Sequence, residues 1–435
     1  MGIAVALMGF LLSGLPIWVC LGFVSLIFMC SSGVSLHMLV STLYAGVDQY
    51  ALIAVTGFLL VANLFDKAGI AQDLIKMVEH FIGSSRSGLA VITIASCAIF
   101  AAVSSSGPAT VATIGGIMIP SMIRAKYTAR FAGAVASSGG ALGILIAPSN
   151  PFLMYGIIAS QSIASLFLAG VVPGIMMAIA LSITASFCVK YFPKYARVSG
   201  ENPSLEGGEH KKFTFWGGLR AINEGKWALI AIILLLGGIY AGFFTPIEAA
   251  EVTIFYTLCV GLFVTKKLRF KDIYTALADT VKLSGTLIIL VAAGFAFARL
   301  LTVQGILQAM GMSIQGISKD PIVVLLIIMA LMIFIGTWAE TFSQIIVLTP
   351  IFLPIITPLG IDPIHFGLLF VVTAEIGFLT PPFGANLFVG MKIANLTLEE
   401  LSIAVLPFIV AYAVVLLILV FFPEISLFLP RLVFG

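Results

Sequence analysis

Ser104-Ser105-Ser106-Gly107-Pro108-Ala109-Thr110 is a polar, helix-breaking tract between two apolar runs, and its reading decides the fold. Residues 88 to 103 before it are apolar apart from Thr93 and Ser96, and residues 111 to 123 after it are apolar again. Neither arm reaches the roughly 20 residues that a helix needs to cross about 30 Å of hydrocarbon. A re-entrant hairpin over 88–123, with its tip at mid-membrane, accounts for both. Unwound backbone at that depth is tolerated only where protein or a watery cavity surrounds it, because unpaired amides in lipid cost several kcal/mol each. The tract is therefore a candidate binding site. The alternative is a Ser/Gly-rich helix-packing contact.

A second copy of the plan favours the site. Adding 234 carries Pro120 to Pro354, Gly143 to Gly377, Pro148 to Pro382 and Pro173 to Pro407, with no gaps. Ser106 then lies over Glu340, in the tract Gly336-Thr337-Trp338-Ala339-Glu340-Thr341, which also interrupts an apolar run and predicts a second hairpin over 321–356. Duplicated halves with interrupted helices at matching positions are the signature of a secondary transporter whose site lies where the breaks meet.

The composition agrees with a membrane setting: 60% hydrophobic, 9% charged, mean hydropathy +1.17. A soluble chain could not hide this much apolar surface, so the fold class is an all-α polytopic membrane protein, and the duplicated tracts add an inverted repeat with two re-entrant hairpins. No basic stripe or stacking motif suggests nucleic acid. Cys20, Cys30, Cys97, Cys188 and Cys259 fall singly in apolar segments and read as packing residues. His37, His80, His210 and His365 have no metal spacing and are expected in solvated loops.

Along the chain, residues 1–189 form the first repeat, with a surface loop over 32–49, the hairpin 88–123 and a discontinuous helix over 131–160 that is broken at Pro148-Ser149-Asn150-Pro151. Residues 190–226 carry seven of the 22 basic residues and read as a cytoplasmic linker. Residues 227–435 form the second repeat, with the hairpin 321–356 and a broken helix over 363–394. Five crossings per half, an odd number, turn the second copy upside down. This count requires residues 1–12 to span.

Breaks inside a membrane offer free carbonyls to cations and free amides to anions. In the first half, Ser104, Ser106 and Gly107 would face Pro148 and Ser149. In the second, Gly336, Thr337, Glu340 and Thr341 would face Thr380, Pro381 and Gly384. These sets predict two Na⁺ sites, one per repeat, with the substrate between them at Ser105, Asn150 and Trp338. Arg299, the lone charge in the apolar span after Lys282, is the candidate for a substrate carboxylate. Its alternatives are an ion pair with Glu340 or Glu375, or snorkelling toward the outer interface. HExxH, GxSxG, paired-aspartate and Walker A motifs are missing, so neither an enzyme nor an ATP-driven pump is expected.

Several motifs in order resemble one family. Ser106-Gly107-Pro108-Ala109-Thr110-Val111-Ala112, Gly143-Ile144-Leu145-Ile146-Ala147-Pro148-Ser149-Asn150-Pro151, Ala169-Gly170-Val171-Val172-Pro173-Gly174, Gly360-Ile361-Asp362-Pro363 and Gly377-Phe378-Leu379-Thr380-Pro381-Pro382-Phe383-Gly384 look like the large membrane subunit of tripartite ATP-independent periplasmic (TRAP) transporters. The resemblance covers nearly the whole chain. It implies an elevator-type, Na⁺-driven importer of organic acids in a bacterial inner membrane, with a periplasmic substrate-binding protein and a small membrane (Q) subunit as partners, in contact with membrane lipid. Ala147 stands where the family more often has proline, and Ser105 where many members have glycine. A lone arginine fits one carboxylate and many hydroxyls, which narrowly favours sialic acid over C4-dicarboxylates or other sugar acids. The rival reading is a self-sufficient Na⁺- or H⁺-coupled carboxylate symporter.

Overall fold

The computed structural model describes residues 2–33, 35–69, 88–196, 215–306, 320–382 and 384–435, with residues 77, 309, 316 and 318. Among these, all regular structure is helical. In the first half, α1 (Gly2–Leu12), α2 (Ile17–Ser31), α3 (Leu36–Val47) and α4 (Leu52–Lys67) precede a hairpin of α5 (Gly88–Ser104) and α6 (107–124, with a wide turn at Val111–Gly115). Then come α7 (Ala129–Gly140, tightening through Ala141–Ile144), α8 (Asn150–Ala159), α9 (Ile163–Tyr191) and the short α10 (Pro193–Ala196). The second half holds α11 (215–240), α12 (Pro246–Val264) and α13 (Phe270–Val303). Its hairpin is α14 (Pro321–Gly336) and α15 (Thr341–Ile356), followed by α16 (Pro363–Phe378), α17 (Ala385–Ala394), α18 (Leu398–Phe421) and α19 (Glu424–Phe434).

The copy is visible in where helices begin. Leu36 and Phe270, Gly107 and Thr341, and Ala129 and Pro363 each open corresponding helices 234 residues apart. Local chemistry sets several of these starts. Ser106, Thr128 and Ser149 accept from backbone amides of their own first turns. In the second half Asp320 and Asp362 accept from Ile322 and Ile364 N, each at 2.8 Å, ahead of Pro321 and Pro363, whose missing N–H costs nothing at that position.

The expected loop over 32–49 is instead the helix α3. Ser35 caps it on Met38 N, and Asp48 ends it before a 44° bend into α4. Its counterpart in the second half runs unbroken as α13. The expected linker 190–226 is also shorter than read: α9 continues to Tyr191 and α11 starts at Phe215. Its middle, 197–214, lies outside the described residues. His365 is not in a solvated loop but buried in α16, with Nδ1 2.7 Å from Ser426 Oγ of α19. The sequence around it is apolar on all sides, and such a helix must be buried all round.

Two helices form the centre. Every residue from Phe131 to Gly140 of α7 is buried, as is every residue from His365 to Phe378 of α16. Each packs on the first arm of its own hairpin, α5 or α14, while the far piece of each broken helix crosses over. Thus α8 lies on α15, and α17 lies on α7 and the start of α6. The halves are therefore interlocked at their breaks. Around them α13 packs on α2, α3 and α4, and meets the core at α15, where Gly294 abuts Ile346. On α9 the exposed Ile175, Ile179, Ile183 and Phe187 recur every fourth residue, giving one apolar stripe outward.

Among the described residues, five helices are long and apolar enough alone to cross a membrane, six with the bent α3–α4 pair counted as one. The shorter apolar helices include the first hairpin arms α5 and α14 and the broken-helix pieces α8, α16 and α17, together with α2 and the end of α11. The arms and broken pieces lie where the interrupted runs of the sequence place them.

Candidate ion and substrate site

In the first half the two breaks touch. Ser105, at φ 50°, turns its Oγ to donate to Pro148 O at 2.6 Å. Ser104 Oγ lies 2.7 Å from Thr110 Oγ1 and donates to Ser106 O at 3.0 Å, while Thr110 Oγ1 also donates to Ser106 O at 2.9 Å. Ser149 Oγ donates to Ile144 O and caps α8 on Phe152 N. Asn150 is 1% exposed, and its Oδ1 has no partner among the described residues. The packing needs glycine at 143, where an added Cβ would sit 2.7 Å from both Ser106 O and Thr110 Oγ1. Gly107 and Pro148 are likewise buried.

The break in the second half is more open. Gly336, Thr337, Thr341 and Gly384 are buried, but Trp338 is 65% exposed, and Glu340 and Pro381 also face outward. Thr337 Oγ1 donates to Phe334 O, and Thr380 Oγ1 to Ile376 O, so both hydroxyls are engaged with their own helices. Glu340 opens α15 without a side-chain cap. Gln344 Nε2 donates to Ala339 O at 2.9 Å, while Gln344 Oε1 and Thr341 Oγ1 are buried without partners among the described residues. Gly336 and Gly377 meet backbone to backbone here, the counterpart of Gly143 against Ser106. Both breaks contain a cis bond, Ala147–Pro148 and Pro381–Pro382.

The breaks of opposite halves also meet. Gly107, the first residue of α6, packs on the side chain of Asn386 near the start of α17. Ser137 Oγ donates to Asn386 O at 3.4 Å, and Tyr412 Oη to Ser138 O at 3.0 Å, tying α18 to α7 behind the site. Tyr412→Phe leaves that buried carbonyl unpaired and is expected to cost about 1–2 kcal/mol. Melting the purified variant checks this, and an unchanged midpoint would contradict it.

Arg299 is not brought to this cluster. It is exposed on α13 and forms no ion pair or hydrogen bond with a described residue, so neither the Glu340 nor the Glu375 pairing is present. Sequence reading missed Thr110, Asn386, Gln344 and Tyr412 as parts of the site. Thr110 and Asn386 had a signal, since one closes the first polar tract and the other follows Gly384. Gln344 and Tyr412 had none beyond being polar residues in apolar helices.

Chemically, the first cluster is a set of neutral hydroxyl, carbonyl and amide oxygens. Among the described residues no group of three or more His, Cys, Asp or Glu could hold a metal ion. A neutral oxygen shell suits a small monovalent hard cation and lacks the charge that di- and transition-metal sites draw on. The N-termini of α6 and α17, which meet at Gly107 and Asn386, present positive dipole ends where an anion would sit.

Residues 4–425 match the family described as "Tripartite ATP-independent periplasmic transporter, DctM component". The chain is 36% identical, over 96% of its length, to the isethionate TRAP transporter permease protein DctMQ of Oleidesulfovibrio alaskensis, and spans 64% of that longer protein. It is 33% identical to the C4-dicarboxylate TRAP transporter large permease DctM of Rhodobacter capsulatus, with 99% of this chain and 98% of that one covered. It is 30% identical to the sialic acid TRAP transporter large permease SiaM of Vibrio cholerae, with 98% and 97% covered. The crystal structure of the Alcanivorax borkumensis YdaH transporter superposes with a TM-score of 0.61 at 14% identity, covering 89% of this chain and 87% of that one, and so shares the fold.

Proposed function

Since this chain belongs to the DctM family of tripartite ATP-independent periplasmic transporters, we propose that it imports an organic acid across a bacterial inner membrane by Na⁺-coupled secondary transport. Membership makes it a transporter permease, not an enzyme. A periplasmic binding protein delivers the acid, and a small membrane subunit braces the outer helices. The two hairpins and broken helices move together as an elevator against α2–α4 and α11–α13, and the linker lies in the cytoplasm. The apolar groove between α5 and α9, lined by Val91, Ala95, Ile179 and Ile183, suits lipid acyl chains.

The observation that carries the coupling is the closed first break. Its two walls are joined by Ser105 Oγ and Pro148 O at 2.6 Å, and beside them Asn150 Oδ1 lies buried and unpaired. A buried acceptor without a donor costs about 1–3 kcal/mol, which a bound cation offsets. Sialic acid remains the narrow choice of substrate only through Arg299, which stands apart from the breaks here. The names of the relatives extend to isethionate and C4-dicarboxylate.

Uptake tests the proposal. The chain is reconstituted with its small subunit and binding protein, and labelled sialic acid, isethionate and C4-dicarboxylate are compared. One acid is expected to accumulate only with an inward Na⁺ gradient and only with the binding protein. Accumulation without the binding protein would favour the self-sufficient symporter. Accumulation indifferent to Na⁺ would end the coupling claim.

A further inference from the structure

Glu375, on α16 at the centre of the molecule, has no exposed surface. Its Oε2 accepts from Asn386 Nδ2 at 3.5 Å, the outer limit of a hydrogen bond, and its Oε1 has no partner among the described residues. Asn386 is equally buried, and its Oδ1 is a second acceptor without a donor among the described residues. One hydrogen-bonded pair thus leaves two oxygens unsatisfied, one of them on a carboxyl group.

The surroundings bring no counter-charge. Among the described residues no ion pair includes Glu375. Of the elements packed on α16, α14, α15 and the turn Ala141–Ile144 carry no titratable side chain. The hydroxyl of Tyr412 on α18 is spent on Ser138 O. Tyr155 of α8 donates to Pro363 O at the opposite end of α16. Lys392 of α17 is exposed, and Glu399 and Glu400 stand in the first turn of α18. Cys188, Lys190 and Tyr191 close α9, and Glu424 and Arg431 of α19 pair with each other. A bare carboxylate in such a place carries a desolvation penalty of several kcal/mol with nothing to offset it. A proton removes the charge and turns one of the two unpaired acceptors into a donor.

Asn386 links this carboxyl group to the first break. A Cβ placed on Gly107 would lie 2.7 Å from Asn386 Oδ1, so the amide touches the first residue of α6 directly. We propose that Glu375 is a proton-binding site of the transport core, loaded in the arrangement described here, and that its proton competes through Asn386 with the cation bound at the Ser104–Gly107 break. The competition rests on the ion-coupled reading above; the proton site does not. The step is a proton transfer alone. An O–H bond forms on a Glu375 carboxylate oxygen with a proton from water when the core opens, and breaks to return it. Ionised Glu375 adds a negative charge near the break and tightens the cation; protonated Glu375 weakens it. Cation affinity therefore rises with pH.

Infrared spectroscopy of the purified full chain at about pH 8, where exposed carboxyl groups are ionised, tests the site. A protonated-carboxyl C=O band that moves on deuteration is expected in the wild type and lost in Glu375→Gln. Its absence from the wild type, or its survival in Glu375→Gln, overturns the proposal. If that variant does not fold, Glu340→Gln assigns the band instead: retention leaves it with Glu375, and loss removes it from Glu375. Na⁺-dependent melting across pH tests the competition. The half-saturating Na⁺ of the wild type is expected to fall by up to about tenfold per pH unit, and that of Glu375→Gln to stay constant. A pH-independent wild type refutes the competition. No response to Na⁺ in either protein refutes the ion-coupled reading, and the infrared band still decides the proton site.

Discussion

Gly377→Ala is expected to remove most uptake. A Cβ at that position lies 2.6 Å from Gly336 C and 2.8 Å from Gly336 O, and both neighbours are backbone, which cannot swing aside as a side chain would. Overpacking of this kind costs about 1–3 kcal/mol. Charged against the arrangement in which the hairpin tip meets the broken helix, that is roughly 5- to 150-fold in its population. Gly285→Ala on α13 is the control, because nothing lies within 4 Å of its added Cβ, and alanine there should leave uptake intact. The two variants are compared in proteoliposomes at matched incorporation. Wild-type rates in Gly377→Ala would mean that the close approach of α14 and α16 is not needed for transport.

The second large effect belongs to Ser105. Its φ of 50° is a left-handed backbone that branched residues scarcely adopt, and its Oγ holds Pro148 O. Ser105→Val loses that bond and adds a branched Cβ in the strained conformation, together at least about 2 kcal/mol. Ser105→Gly loses the same bond, at about 1 kcal/mol, but relieves the backbone by about as much. Uptake is therefore expected to fall tenfold or more in Ser105→Val and to stay near wild type in Ser105→Gly. Equal loss in both would show that the hydroxyl itself, not the turn, sets the rate. Equal retention would separate Ser105 from the site.

Much of this architecture was readable before the structure, for identifiable reasons. Glycine and proline together mark breaks in apolar helices, so Gly143 with Pro148 and Gly377 with Pro382 marked the two broken helices and their spacing, although Pro120, Pro173, Pro354 and Pro407 sit inside continuous helices. The arms of the first hairpin came from lengths too short to span. The helix Leu36–Val47 was hidden because His37, Ser41 and Thr42 make it look polar, although Thr42 Oγ1 and Ser41 Oγ bond back to Met38 O within the helix.

The cross-half contacts were not readable at all. Gly107 against Asn386, or α8 against α15, joins residues hundreds apart, and no local pattern encodes which piece of a broken helix crosses over. Arg299 is a different case. A charge in an apolar span marks a candidate by its cost in lipid, but the cost is also met at an exposed position near a helix end, and α13 ends at Val303.

Na⁺ is proposed to bind at the paired breaks. Thermal unfolding of the purified chain in Na⁺, K⁺ and choline at equal ionic strength measures it most directly, since a ligand that binds only the folded state stabilises it by about 1.4 kcal/mol per tenfold excess over its dissociation constant. A midpoint that climbs with Na⁺ alone, and climbs less in Ser105→Val, is the predicted result; the same midpoint in all three salts would contradict it.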